Sequence, residues 1–168
     1  MIYFITGGAR SGKSSYAMKL AKQFSANPTY VATARKWDED FQKRIDQHKS
    51  ERGNDWINIE EEKELSKHNF TGKVVVVDCV TLWLTNYFVD FKNDIQQSLD
   101  AIKSEIEKLK MQDSTFIIIS NEIGMGVHAA SPVGRKFTDL QGWTNQYIAG
   151  EASTVVLMVS GIPVTIKK

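Results

Sequence analysis

Gly7, Gly12, Lys13 and Ser14 stand in the pattern G-x-x-x-x-G-K-[ST], inside the stretch "TGGARSGKS". Residues of these types at this spacing bind nucleotide phosphates. Glycine lets the backbone approach an anion more closely than a Cβ would allow. Successive N–H groups then converge on the phosphates, helped by the positive end of the helix that follows. In such a loop Lys13 reaches the β- and γ-phosphates and Ser14 holds Mg2+. An acidic partner for Ser14 belongs at the end of a neighbouring strand, and Asp78, closing "VVVVD", is the candidate. A polar residue that merely ends a strand would leave the same trace. The pattern specifies nucleotide binding and leaves the reaction type open.

A second group of residues lies in "RIDQHKSERGNDWINIE" at 44–60. His48 is one of three histidines, and it shares a helix face with Phe41 and Ile45 at i, i+4 and i+7. Two readings follow from the residues alone. His48 is a partly buried histidine at the edge of a helix–core contact, or it is a nucleophile whose neutral imidazole nitrogen attacks phosphorus. Lys49 and Arg52, within one turn of it, are placed as phosphate clamps. His68 and His128 lack such a setting.

The elements that must position these groups alternate along the chain. "IYFI" (2–5) reads as a strand leading into the glycine loop, and Ala17, Leu20, Ala21 and Phe24 mark one face of the next helix. "TYVAT" (29–33) is a second strand, 38–52 a helix, "WINI" (56–59) a short strand and "EEEKELSKH" a short helix. "KVVVVDC" (73–79) and "TFIIIS" (115–120) are apolar throughout, as strands buried on both faces are. Between them Ile95, Leu99, Ile102, Ile106 and Leu109 define a long amphipathic helix. A helix over 133–149 and paired strands "TVVLMV" and "PVTI" close the chain. This alternation predicts an α/β fold, a mainly parallel sheet with helices on both faces.

Bulk composition narrows the function. The 168 residues suit one domain, 1–168, and neither linker nor repeat interrupts them. With 21 basic and 20 acidic residues the net charge is +1, which argues against nucleic acid or an acidic membrane as partner. No apolar run approaches the roughly 20 residues of a membrane span, and the opening apolar stretch is shorter than a leader's. A lone cysteine, Cys79, fits a reducing cytoplasm. A regulatory GTPase needs N-K-x-D, which does not occur; "DLQG" (139–142) sits in a helix-like stretch and matches D-x-x-G by chance. Small-molecule phosphoryl transfer is the class the loop favours. A kinase of a small hydroxyl substrate, in which His48 only packs, and a non-enzymatic nucleotide-binding module both stay open from these residues.

Across essentially its whole length the chain resembles the bifunctional adenosylcobinamide kinase/adenosylcobinamide-phosphate guanylyltransferase family. The carriers are "TGGARSGKS", "YVAT", "RIDQHKSERGNDWINIE", "VVVVDCVTLWLTN", "SNEIGMG" and the closing "GIPVTIK". The resemblance implies a RecA-like P-loop domain ending in an antiparallel strand pair. It implies phosphorylation of adenosylcobinamide by ATP or GTP, then transfer of GMP from GTP through a covalent guanylyl-histidine, with adenosylcobinamide-GDP and pyrophosphate as products. The matching histidine is His48. Gly7, Gly8, Ala9, Arg10, Ser11, Gly12, Lys13 and Ser14 match the phosphate ligands; Ala32, Thr33 and Ala34 match the strand end lining the nucleotide site. Lys49, Ser50, Glu51, Arg52, Glu60 and Asp78 match further nucleotide-contacting positions, with Ser14 and Asp78 toward Mg2+. Asp78 stands where the family can have Glu, and Trp143 where a basic residue can occur. A corrinoid substrate and a cytoplasmic homotrimer are implied as well. Asn121 and Glu122 are read either as groups that orient substrate or Mg2+, or as ties for the loop holding Gly124 and Gly126.

Overall fold

The structure is a computed structural model, and it describes residues 1–35, 53 and 55–168. The expected helix over 38–52, with His48, Lys49, Ser50, Glu51 and Arg52, lies outside the described residues.

Seven strands form one sheet. They are β1 (Ile2–Gly7), β2 (Thr29–Ala32), β3 (Ile57–Glu60), β4 (Val74–Asp78), β5 (Thr115–Asn121), β6 (Thr154–Val159) and β7 (Ile162–Lys167). The order across the sheet is β3-β2-β4-β5-β1-β6-β7. Every pairing is parallel except the last, β6 with β7. The expected α/β class and terminal antiparallel pair are therefore both present. β5 stands between the loop-bearing β1 and the acid-bearing β4.

Period-2 alternation splits the strands' side chains between two faces. Phe4, Val75, Val77, Phe116 and Ile118 face one core; Ile5, Val76, Ile117 and Ile119 face the other. The first core is closed by helices α2 (Val80–Asp90), α3 (Ile95–Lys110) and α4 (Pro132–Glu151), through Trp83, Leu84, Ile102, Ile106, Leu140 and Ile148. The second is covered by α1 (Lys13–Phe24), whose small Ala17 and Ala21 let the helix lie close to the sheet. Two of the four helices open on a side-chain cap. Asp94 accepts from the Gln97 N–H, and Ser131 accepts from the Gly134 N–H ahead of Pro132. No side chain caps α1, whose first-turn N–H groups are left to the loop side.

Two elements and one side chain differ from the sequence reading. Helix α2 is new: its run of apolar, aromatic and β-branched residues has no polar stripe, because Val80, Trp83, Leu84, Tyr87 and Phe88 are all buried. "EEEKELSKH" forms only one 3-10 turn, Leu65–Lys67. The Glu61 carboxylate turns the chain by accepting from the Lys63 and Glu64 N–H groups, and buried Glu105 accepts from both the N–H and the hydroxyl of Ser66. Phe24, expected on the core face of α1, is half exposed at the helix end with its ring against Tyr3.

Ile106 is fully buried among the α3 side chains that seat this helix on the sheet. Replacing it by alanine should cost about 3–4 kcal/mol of stability, measured by urea unfolding, because the rigid neighbourhood leaves a cavity.

Candidate functional site

The strand ends make one edge. Register pairs Glu60 with Ala32, Ala32 with Asp78, Asn121 with Gly7, and Gly7 with Met158. The C-terminal ends of all the parallel strands thus lie side by side, the edge at which α/β sheets bind ligands. The loop from β1 to α1 rises from this edge. Gly7 has φ +151° and a Cβ there would stand 2.5 Å from the Met158 carbonyl oxygen and 2.8 Å from Ser11 Oγ. Gly12 has φ +94°, with Gly161 Cα 3.3 Å from the position of a Cβ. Both positions demand glycine, one for space and both for conformation. The Gly161 N–H donates to the Ser11 carbonyl at 3.0 Å, so the β6–β7 turn buttresses the loop.

Lys13, Ser14 and Asp78 meet in a cleft of about 240 Å³. Arg10, Ser11 and Gly12 form its loop wall; Ser15, Cys79, Ile119 and Asn121 complete it. Ser14 donates its hydroxyl to Asp78 Oδ2 at 2.8 Å, and the Tyr30 hydroxyl donates to the same oxygen at 2.6 Å. The Lys13 ammonium donates to the Gly8 carbonyl at 2.6 Å, and the residue as a whole is 8% exposed. Burial pushes its pKa below the ordinary 10.5, partly opposed by Cys79 and Asp78. Ser11 Oγ is buried with no hydrogen-bond partner, an unpaired polar atom within the cradle. Beside the cleft, burial raises the Cys79 thiol to about 12, so it is not a nucleophile at neutral pH.

The other described candidates take distinct places. Gly7, Gly8 and Ala9 carry the loop out of β1. Thr33 is fully buried; its N–H donates to the Asp78 carbonyl, its hydroxyl to the Cys79 carbonyl, and its own carbonyl accepts from Asn86 Nδ2. These bonds weld the ends of β2 and β4 together, with Ala32 and Ala34 on either side. Glu60 ends β3 on the same edge and is exposed. Glu122 accepts from the Gly124 N–H and ties the loop; Asn121 faces the cleft.

Sequence reading missed Tyr30. Its register partner is Val76, and Val76 and Asp78 share a face of β4, so a tyrosine at position 30 reaches along that face to the carboxylate. Only the parallel register reveals this, and no local signal carries it. Trp56 is packed edge-on against Tyr30, with the Lys22 ammonium over its ring and Lys22 paired to Asp55.

The cleft can hold a polyphosphate. Loop and helix N–H groups and an ammonium supply positive charge. A hydroxyl and a carboxylate offer hard oxygen donors, the kind Mg2+ takes in small number alongside substrate phosphates.

Comparison with known proteins agrees with this chemistry. The cobinamide kinase / cobinamide phosphate guanyltransferase family profile matches residues 3–166. The chain is 36% identical to the bifunctional adenosylcobalamin biosynthesis protein CobP of Pseudomonas aeruginosa, over 97% of this chain and 95% of that protein. It is 34% identical to the bifunctional adenosylcobalamin biosynthesis protein CobU of Escherichia coli, over 99% of this chain and all of that protein. Among solved structures, the flagellar accessory protein FlaH from Methanocaldococcus jannaschii superposes with a TM-score of 0.48 at 14% identity, over 99% of this chain and 77% of that one.

Two measurements test the site. Gly7→Ala should lose about 3 kcal/mol in urea unfolding, from the clash with Met158 and the unfavourable φ, whereas Gly8→Ala, where a Cβ meets nothing within 4 Å, should stay within about 0.5 kcal/mol of the parent. The second is the pH dependence of nucleotide affinity. The Lys13 ammonium loses its proton at lower pH than an ordinary lysine. Triphosphate affinity, measured by calorimetry at constant ionic strength, should therefore begin to fall on the alkaline side at a pH below 10.5, and the fall should vanish in Lys13→Arg.

Proposed function

We propose a mechanism from one premise: this chain belongs to the cobinamide kinase / cobinamide phosphate guanyltransferase family, and is a bifunctional enzyme of cobalamin biosynthesis. The observation that carries the mechanism is the meeting of Lys13, Ser14 and Asp78 in one cleft at the mouth of the glycine loop. One cradle serves both transfers, on a single catalytic domain spanning 1–168.

In the kinase step the hydroxyl oxygen of the cobinamide side arm attacks the γ-phosphorus of ATP or GTP. The bridging P–O bond breaks and the nucleoside diphosphate leaves. In the second step an imidazole nitrogen of His48 attacks the α-phosphorus of GTP, and pyrophosphate departs. A phosphate oxygen of cobinamide phosphate then attacks the guanylyl phosphorus and frees His48. Covalent relay splits one difficult displacement into two easier ones. Lys13 exchanges the Gly8 carbonyl for phosphate oxygens and neutralises charge on the leaving diphosphate or pyrophosphate. Gly7 to Gly12 supply the N–H groups that fix the polyphosphate, and Arg10 reaches it from the rim. Ser14 and Asp78 would hold Mg2+, which supplies charge neutralisation between adjacent phosphates when bound. Ala32, Ala34 and Glu60 line the nucleoside side of the same strand edge, and buried Thr33 holds that edge together. Lys49, Ser50, Glu51 and Arg52 accompany His48 as nucleotide contacts.

We further read the working form as a cytoplasmic homotrimer. The exposed edge strand β7, with Ile162, Val164 and Ile166 open on one face, supports self-association. No described helix is long and apolar enough to cross a membrane.

Incubation with GTP labelled at the α-phosphate tests the relay. The protein should take up an acid-labile, alkali-stable label that is absent in His48→Ala and is chased by cobinamide phosphate. Kinase activity without any protein label would replace this mechanism with direct transfer. In Lys13→Ala both activities should fall by at least about 10²-fold; survival of either would assign the two steps to separate sites.

A further inference from the structure

We propose that the Asn121 side-chain amide contacts the terminal phosphoryl group of the bound triphosphate and orients the hydroxyl that attacks it in the kinase step. The proposal rests on reading the cleft as the triphosphate site. Asn121 is the last residue of β5, register-paired with Gly7 where the phosphate loop begins. β5 is the strand between the one that carries the loop and the one that carries Asp78. A side chain at its end therefore enters the cleft between cradle and acid, and Asn121 lines that wall with Lys13, Ser14 and Asp78.

The backbone of Asn121 is held from two sides. Its N–H donates to Thr81 Oγ1 at 3.2 Å, and its carbonyl accepts from Asn145 Nδ2 at 3.1 Å. Behind it, Ser120 donates to Asn145 Oδ1 at 2.6 Å, and Gln141 Nε2 donates to both Ser120 Oγ and Asn145 Oδ1. Glu122 donates its N–H to the Gly7 carbonyl at 2.9 Å. A residue so fixed in its main chain nevertheless has a carboxamide with no hydrogen-bond partner among the described residues. That group is neutral, so it does not repel a triphosphate. It offers an N–H donor to a phosphoryl oxygen and a carbonyl acceptor to a hydroxyl.

Its place in the cleft selects the step. In a glycine-lysine loop the lysine and the following hydroxyl serve the β/γ end of the nucleotide, and those are the residues beside Asn121. The kinase reaction breaks its bond at that end. The hydroxyl oxygen bonds to the γ-phosphorus, the bridging oxygen departs with the diphosphate, and the hydroxyl proton passes to solvent. Asn121 aligns the incoming oxygen and binds an equatorial one; it gains and loses no proton. Guanylyl transfer breaks its bond at the α-phosphorus, so Asn121 contributes there only to holding the leaving group.

The test compares Asn121→Ala and the isosteric Asn121→Asp with the parent in each half-reaction and in thermal unfolding. In Asn121→Ala the kinase kcat should fall about 10²-fold, as for loss of a transition-state donor. Its nucleotide KM should change by less than about threefold, and the rate of protein labelling by α-labelled GTP by less than about fivefold. The unfolding midpoint should hold, because the main-chain bonds remain. Asn121→Asp keeps the volume and sets a charge against the phosphates; it should lose kinase activity and raise nucleotide KM in both assays. Kinase kcat within about threefold of the parent in Asn121→Ala would overturn the proposal. So would equal losses in both half-reactions accompanied by a lowered midpoint, which would make Asn121 a purely structural residue. Lys13→Ala run alongside separates the premises. If it leaves both transfers intact, the reading of the cleft fails; if it abolishes them while Asn121→Ala is silent, only this inference fails.

Discussion

Two hydroxyls share one carboxylate oxygen at the centre of this molecule. Ser14 from α1 and Tyr30 from β2 both donate to Asp78 Oδ2 at the end of β4. The three residues belong to three elements far apart in sequence, and the shared oxygen fixes where the first turn of α1 sits over the sheet edge. Asp78 is half-buried, and the two donors replace water that its carboxylate loses there. One of those donors is Ser14, so the bond that seats α1 on the sheet lies inside the proposed nucleotide site. The weld between β2 and β4 through Thr33 and Asn86 holds the carboxylate from behind.

The cost of building such an edge is visible next to it. Gln141 Oε1 and Thr144 Oγ1 are buried without a hydrogen-bond partner, and so are Thr6 Oγ1 and Ser11 Oγ. Unpaired buried oxygens are destabilising in a low-dielectric interior. Thr6 and Ser11 lie at or beside the loop, and Gln141 belongs to the network behind Asn121. The apolar cores carry the opposite sign: Trp83, Phe116, Ile118 and Ile106 fill the face opposite α1 with little exposed surface. Several imperfectly paired groups thus lie at or behind the ligand edge, with Thr29 Oγ1 a further one at the far end of β2, and the apolar layers carry the stabilisation.

Most of the architecture was legible because it is written in local patterns. Period-2 alternation is absent from "KVVVVDC" and "TFIIIS", and that absence itself identified strands buried on both faces; the structure pairs them as β4 and β5 at the sheet's centre. The glycine loop and Asp78 were legible because spacing and strand position carry them. Helix α2 was not. Its less buried face carries Thr81, Leu82, Thr85 and Val89 rather than charged residues, so no charged stripe sets it apart from an apolar strand, and its β-branched and aromatic residues weaken the helix signal. Tyr30 stayed hidden because its partner is set by strand register. The short turn at Leu65 was overread as a helix because its glutamates cap and turn the chain. His48 and its neighbours rest on sequence and family, since the described residues begin again beyond them.

The contact between the β6–β7 turn and the phosphate loop joins residue 161 to residue 11. β1, the first strand in the chain, is flanked by β5 and β6, which begin more than a hundred residues later. A ribosome delivering this chain would release the glycine loop long before anything exists to brace it. Nucleotide-gripping competence therefore emerges with the last strands rather than with the motif that announces it. Folding of this topology waits on distant pairings, and a nascent fragment would carry the signature of the cradle without its grip.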